Sequence, residues 1–287
     1  MIIIIRLFWV LQYIKKCDIL WINKSIVNKI GAVMVLAVDI GNTNVVIGAF
    51  EKDTILFNER VSTNHKATDL EYAIQLKNIF EIHGASPYTL EGAIMSSVVP
   101  SITETVESAI KKLTGCDPII VGPGIKTGLK IATDNPAQLG SDLVVDAVAG
   151  IKHYGVPLII IDMGTATTMS VIEEDESYSG TLIIPGMRTS LDALVSGAAQ
   201  LPKVKLEASK RVVGKNTSEC MANGIMYYTA AGLDGCVERI EEELGRECTV
   251  VATGGLAGSV VPHCKKPIIH DDDLLLKGLM ILYEKNN

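Results

Sequence analysis

The sequence predicts an α/β protein made of two similar halves, because one strand–turn–strand pattern occurs twice. Asp39-Ile-Gly-Asn-Thr43 follows the apolar segment 35–38, and Asp162-Met-Gly-Thr-Ala166 follows the apolar segment 158–161. A buried-type strand that ends in such a turn and leads at once into a second strand is typical of a phosphate-holding loop. One copy would be weak support, since Asp-x-Gly is a common turn. Two copies indicate a duplicated nucleotide-binding fold.

The residue types in the two turns suit an anion. Gly41 and Gly164 remove the side chain where the backbone must come close to a phosphate. The turn N–H groups and the hydroxyls of Thr43 and Thr165 can donate hydrogen bonds to phosphate oxygens. The aspartates that open the turns would repel phosphate, so they make sense only with a cation between carboxylate and phosphate.

Strand and helix patterns alternate along both halves, and each half opens with a three-stranded antiparallel meander. The predicted strands are 35–38, 45–50, 55–61, 93–99, 119–121, 158–161, 168–172, 178–184 and 250–253. The predicted helices are 68–83, 101–114, 143–154, 189–199, 218–244 and 274–283. The halves meet near residues 150–157, so the predicted domains are 34–155 and 156–287.

Residues 1–33 differ from the rest of the chain. They are rich in Ile, Trp, Phe and Lys, but charged residues interrupt every apolar run, and none is long enough for a membrane span. The order of charged and apolar residues is also poor for a signal peptide. We expect a non-native or disordered extension, a translated upstream stretch before a natural start at Met34. A membrane-surface anchor is the alternative.

Composition excludes several classes of function. The 287 residues carry a net charge of −7, with no concentration of basic residues, which argues against nucleic-acid and membrane partners. The six cysteines show no paired spacing, so we expect free thiols in a reducing cytoplasm. The five histidines show no metal-ligand spacing. A hydrophobic fraction of 48% supplies a sizeable core.

Five motifs, in order along the chain, resemble those of the type III pantothenate kinases. They are Asp39-Ile-Gly-Asn-Thr43, Asn135-Pro136 followed by Gly140-Ser-Asp142, Asp162-Met-Gly-Thr-Ala-Thr-Thr168, Gly214-Lys-Asn-Thr217 and Thr253-Gly-Gly-Leu-Ala257. The resemblance implies duplicated ribonuclease-H-like halves, as in actin-like ATPases and sugar kinases, with mixed five-stranded sheets and ATP in the cleft between them. It also implies a cytoplasmic homodimer whose acceptor pocket the partner subunit completes.

The resemblance also implies roles for individual residues. Asp142 would be the general base, Asp39 would hold Mg²⁺ through water, and Asp162 would bind a monovalent cation, K⁺ or NH₄⁺. Gly254 and Gly255 would let the backbone pass close to adenosine. The implied ATP contacts are Asp39, Ile40, Gly41, Asn42, Thr43, Asn44, Val45, Val46 and Thr165. The implied acceptor contacts are Gly140, Ser141, Asp142, Leu143 and Thr217.

Each of these residues has a simpler structural alternative. Asp39 could cap a turn, and Thr43 could be an ordinary turn hydroxyl. Asp142 could be an acid favoured at a helix N-terminus, with Ser141 as the N-cap. Thr217 could likewise cap the helix that follows it. Asp162 could be a second Mg²⁺ ligand or part of the loop structure only.

The chain departs from the family pattern on the acceptor side. Leu143 stands where the family usually carries arginine after the aspartate, with Arg188 and Lys215 as the nearest cations by motif. Further departures are Ser141, Thr133 and the segment Met221-Ala-Asn-Gly224.

The expected activity is ATP-dependent phosphorylation of pantothenate to 4'-phosphopantothenate, the first step of coenzyme A synthesis. The alternatives are a kinase or phosphohydrolase of the same fold that acts on another small acceptor, and a non-catalytic ATP-binding regulator. Retention of Asp39, Asp142 and Asp162 argues against the regulator.

Overall fold

The computed structural model describes residues 34–207 and 211–287, so the proposed extension 1–33 lies outside the described residues. The strands are β1 Met34–Ile40, β2 Asn44–Glu51, β3 Thr54–Ser62, β4 Leu90–Ser97, β5 Ile119–Ile120, β6 Lys130–Ile131, β7 Leu158–Met163, β8 Ala166–Ile172, β9 Ser177–Pro185, β10 Thr249–Thr253 and β11 Ile269–His270. The helices are α1 Asp69–Ile82, α2 Pro100–Thr114, α3 Ser141–Tyr154, α4 Met187–Gly197, α5 Thr217–Leu244, α6 Ala257–Val260 and α7 Leu274–Asn286.

The strands form two mixed sheets with the same core order. The first sheet runs β3-β2-β1-β4-β5, and the second runs β11-β10-β7-β8-β9-β6. In both, the central strand is antiparallel to the strand that follows it and parallel to its other neighbour. The predicted duplicated α/β fold is therefore confirmed. The second sheet has six strands rather than five, because the two residues of β6, too short for a strand pattern, pair with β9.

Two helices lie between the two sheets. One face of the first sheet packs against α1 and α2, and its other face packs against α3 and α7. The opposite side of α3 packs on the second sheet, whose outer face is covered chiefly by α5. Gly278 on α7 lets the two middle helices come close, because a Cβ there would collide with the carbonyl oxygen of Val145 on α3.

The strand β1 shows how this layering positions the site. Leu36 and Val38 join the core beneath α1 and α2, whereas Val35 and Ala37 face α3 and α7. Since side chains alternate along a strand, Asp39 falls on the same face as Val35 and Ala37. The first loop aspartate is thereby turned towards α3 and the second half of the chain.

The domain boundary near residue 155 stays a prediction. The strand β6 comes from the first half of the sequence but joins the second sheet, and α7 comes from the end of the chain but packs on the first sheet. In the part of the chain that the structure describes, every helix is too short or too polar to span a membrane.

Candidate active site

The two sequence-predicted phosphate loops meet in the fold. The hydroxyl oxygens of Thr43 and Thr165 lie 2.7 Å apart, although the residues are 122 positions apart in the chain. Both threonines are exposed, as are Asn42 and Asn44 beside the first of them. The loops therefore present their donors to one shared space between the halves.

Each loop is closed by a hydrogen bond from its glycine N–H. The N–H of Gly41 donates to the carbonyl of Asn44 at 3.0 Å, and the N–H of Gly164 donates to the carbonyl of Ala166 at 3.0 Å. The closed turn leaves the N–H groups between these residues available to an anion.

Not all residues of the first loop turn their side chains to this space. Ile40 and Val45 are buried in the core beneath α1 and α2, so only their backbone could meet a nucleotide. Val46 packs on the opposite face, beside the cluster of α3 and α7, and remains partly exposed.

Asp39 is a buried carboxyl held by one neighbour. Its side chain is 7% exposed, and the hydroxyl of Ser96 on β4 donates to its Oδ1 at 2.5 Å. Burial raises the pKa of Asp39 to about 7, and the Ser96 hydrogen bond opposes that shift. A cation placed against Asp39 would lower this pKa and favour the ionised carboxylate.

Asp162 occupies the matching position at the end of β7. Burial and the charge of Asp142 raise its pKa to about 6. Gly254, with φ of +90°, lies directly against it, and a Cβ there would lie 2.5 Å from Asp162 Oδ1. The glycine loop after β10 can approach Asp162 only because it carries no side chain.

Asp142 stands in the first turn of α3. Gly140, not Ser141, is the N-cap, and a Cβ on Gly140 would collide with the Asp142 carboxylate. The hydroxyl of Ser141 instead donates to the carbonyl of Ser97 at 3.0 Å, which ties the helix start to the end of β4. Burial raises the pKa of Asp142.

Sequence reasoning missed Asp146, which lies one turn after Asp142 and on the same side of α3. It is 2% exposed, and its Oδ1 has no hydrogen-bond partner among the described residues. Burial, then the charges of Asp162 and Asp142, raise its pKa well above the usual range. The available signal was a second aspartate at i+4 in an otherwise apolar helix segment.

Leu143 is a core residue. It is 9% exposed and packs in a cluster with Tyr178, Leu158 and Leu274. An acceptor contact by its side chain stays a prediction.

Thr217 lies in a different part of the second half. The N-cap of α5 is Asn216, whose side chain accepts from the N–H of Glu219, so Thr217 does not cap. Thr217 lines a cavity of about 520 Å³ together with Lys215 and Met221. The elements that carry Asp142 do not line this cavity.

The donors that face the cleft are hard oxygen ligands. Among the described residues, no three carboxylate, thiol or imidazole groups form a closed metal site. Mg²⁺ that arrives with a nucleotide needs only one or two carboxylates, because phosphates and waters supply its other ligands. The carboxylates of Asp39 and Asp162, with the unpartnered Oδ1 of Asp146 nearby, fit that mode of binding.

Comparison with known proteins decides the family. The family described as type III pantothenate kinase matches residues 35–239. A type III pantothenate kinase from Exiguobacterium sp. is 43% identical over 253 residues, which cover 88% of this chain and 99% of the relative. One from Bacillus cytotoxicus is 44% identical over 253 residues, covering 88% and 97%. The chain belongs to the type III pantothenate kinase family.

Solved structures give the same fold at low sequence identity. Component A of (R)-2-hydroxyglutaryl-CoA dehydratase from Acidaminococcus fermentans superposes with a TM-score of 0.51 at 14% identity, covering 88% of this chain and 97% of the other. MreB 5 of Spiroplasma citri, bound to AMPPNP, superposes with a TM-score of 0.50 at 11% identity, with the same coverage. These likenesses show the actin-like fold alone.

Family membership makes the chain a phosphotransferase. Its reaction is the ATP-dependent phosphorylation of pantothenate, which begins coenzyme A biosynthesis. The resemblance inferred from five short motifs is therefore confirmed.

Proposed function

We propose that the space between the two loops binds ATP and that Asp142 directs the pantothenate hydroxyl to its terminal phosphate. The observation that carries this proposal is the contact of Thr43 and Thr165, whose hydroxyl oxygens lie 2.7 Å apart. Asp142, in the first turn of α3, lies close enough to the two loop aspartates for its charge to raise the pKa of both. The loop N–H groups and both hydroxyls bind the phosphates. The residues proposed to contact ATP and acceptor are those predicted from the sequence.

Asp142 acts as the general base. Phosphoryl transfer has a loose transition state, so the carboxylate mainly orients the acceptor hydroxyl and takes its proton late. Burial raises the pKa of Asp142, which brings it nearer to the working pH and makes it a better proton acceptor. Gly140 leaves the space in which this carboxylate lies.

Asp39 and Asp162 hold the cations that the reaction needs. Asp39 is proposed to hold Mg²⁺ through water, and Asp162 to bind K⁺ or NH₄⁺. Bound cations supply charge neutralisation at the transferred phosphate. Burial raises the pKa of both carboxyls. This is expected of buried carboxyls that meet their cation only when the ligand binds, because burial disfavours the charged form until then.

A homodimer is proposed to complete the acceptor site. The cavity lined by Thr217 is also lined by Leu194 on α4, which is 40% exposed, and by Gly214, which follows Val213, 79% exposed. Tyr228 on α5 is 82% exposed. Exposed apolar side chains of this size favour contact with another protein surface. The free thiols of all described cysteines agree with the proposed cytoplasmic location.

Release of ADP by the purified protein tests the proposed function. We expect release that depends on pantothenate, on Mg²⁺ and on K⁺ or NH₄⁺. A second candidate function is phosphorylation of another small acceptor by the same fold. It is favoured by Leu143, because the arginine that the family usually carries at that position is absent. Pantothenate-independent hydrolysis, or turnover with a different alcohol only, would favour the second candidate.

A further inference from the structure

Arg60 lies in the same row of the first sheet as the aspartate of the first loop. Register pairs Asp39 with Val46 on β2, and Val46 with Arg60 on β3. Residues directly opposite each other on neighbouring strands project from the same face. Arg60 therefore projects from the face that bears Asp39, the face turned towards the second half.

The guanidinium of Arg60 reaches across to the second half. A Cβ on Gly255, in the loop after β10, would collide with Nη1 of Arg60. The bare backbone of Gly255 thus forms the surface against which the guanidinium lies. Arg60 spans from the edge strand of the first sheet to the glycine loop that also packs against Asp162.

Arg60 is a cation with unused hydrogen-bonding capacity. It is exposed, and among the described residues no carboxylate lies within ion-pair distance of its guanidinium. Its positive charge nevertheless lowers the pKa of both Asp39 and Asp162. A guanidinium offers five N–H donors in a planar fork that matches phosphate oxygens.

We propose that Arg60 is a phosphate ligand of the nucleotide, which holds the polyphosphate of ATP between the first sheet and the Gly254-Gly255 loop. The proposal rests on the proposed ATP site and adds a residue that no motif marked. An arginine at this place also offsets part of the negative charge of the four cleft aspartates when the phosphates enter. Arg60 is a binding residue and exchanges no proton.

Nucleotide affinities test this role. Arg60→Gln keeps most of the side-chain length but removes the charge, and Arg60→Lys keeps the charge but loses the fork. Arg246→Gln is the matched control, because Arg246 is an exposed arginine that pairs with Glu174 outside the site. Dissociation constants for adenosine, ADP and ATP are measured by calorimetry with Mg²⁺ present, and thermal melts report folding.

In Arg60→Gln we expect ADP and ATP to bind about tenfold to a hundredfold more weakly, with adenosine affinity within about twofold of the unmodified protein. The ADP and ATP affinities of Arg60→Lys should lie between those of Arg60→Gln and those of the unmodified protein. Arg246→Gln should leave all three nucleotide and nucleoside affinities unchanged. Equal weakening of adenosine and ADP, or ADP affinity within twofold of the unmodified protein, would overturn the proposal.

A double-mutant cycle with Arg60→Lys covers the case in which Arg60→Gln folds poorly. Gly255→Ala places a methyl group against the guanidinium, so it should weaken ADP binding when Arg60 is present and much less when Lys replaces it. Independent, additive effects would overturn the proposal. Pantothenate-dependent turnover by the unmodified protein is scored separately, so failure of the proposed activity is distinguishable from failure at Arg60.

Discussion

The loops after β1 and β7 share one backbone design but place their aspartates in different surroundings. Asp39 accepts a hydrogen bond from Ser96 and has its pKa raised to about 7. Among the described residues, no side-chain hydrogen bond reaches Asp162, whose pKa is raised to about 6 and whose neighbour is the backbone of Gly254. The two loops therefore resemble each other in their glycine-closed turns and differ in the surroundings of their carboxyls.

This difference supports the separate cation roles proposed for Asp39 and Asp162. A carboxyl fixed by a hydroxyl keeps one orientation, which suits a ligand that acts through an ordered water. A carboxylate without such a partner, beside bare backbone, can bind a cation directly.

The largest effect is expected for Asp142→Asn, because Asp142 is the proposed general base for the acceptor and lies in neither loop. Turnover should fall by about 100- to 10,000-fold, since a general base is lost, while ADP affinity stays nearly unchanged. Rates of ADP release and calorimetric ADP binding check both statements. A variant that keeps more than a third of the unmodified rate would remove Asp142 from the role of base.

Gly254→Ala should destabilise the protein at the second loop, the one after β7, and leave the first loop unchanged. Alanine at φ of +90° is strained, and its Cβ would lie 2.5 Å from Asp162 Oδ1 and 2.6 Å from Met163 N. We expect the free energy of unfolding to fall by about 1–2 kcal/mol or more. Gly41→Ala in the first copy is the control, since its Cβ would meet only the Asn44 carbonyl oxygen, at 3.1 Å. Chemical denaturation measures both variants, and an equal loss of unfolding free energy in Gly254→Ala and Gly41→Ala would contradict the comparison.

Ser96→Ala should change the ionisation of Asp39 in the first loop and leave the second loop unchanged. The hydrogen bond from Ser96 lowers the pKa of Asp39, so its loss should raise that pKa further. The pH at which activity reaches half its maximum should move to higher pH, and stability should fall by about 1 kcal/mol. An unchanged pH–rate profile would mean that ionisation of Asp39 does not limit the reaction.

Asp146→Asn should stabilise the ligand-free protein modestly, and more at higher pH. Burial raises the pKa of Asp146 in the folded state, so its ionisation opposes folding. That cost is absent below the usual aspartate pKa, grows as pH rises from there to the raised value, and is constant above it. The melting temperature of the variant should therefore exceed that of the unmodified protein by a margin that is larger at pH 8 than at pH 5. A margin independent of pH would contradict this account.

The sequence predicted the duplicated fold because the fold depends on local patterns, whereas a shared cleft between the loops was implied by the family resemblance. Apolar runs ending in Asp-x-Gly mark a strand and its turn, and the repeated pattern marks the duplication. Asp146 and Arg60 escaped prediction because their importance comes from packing across layers. The surroundings of an aspartate on an apolar helix, or of an arginine on an edge strand, are set by the other half of the molecule, and a local sequence pattern does not reveal them.

Leu143 shows a different limit. The family resemblance implied an acceptor contact at this position, and that contact stays a prediction. The structure places the Leu143 side chain in the core beside Tyr178, because neighbours in sequence on a helix point in directions about 100° apart.

The central claim, that the two copies of the loop hold different cations, is tested most directly by measuring ADP affinity against K⁺ concentration in Asp39→Asn and Asp162→Asn. Calorimetry is carried out at fixed Mg²⁺, with Na⁺ replacing K⁺ to hold ionic strength constant. We predict that K⁺ still strengthens ADP binding in Asp39→Asn and no longer does so in Asp162→Asn. Loss of the K⁺ response in both variants, or its retention in Asp162→Asn, would contradict the account.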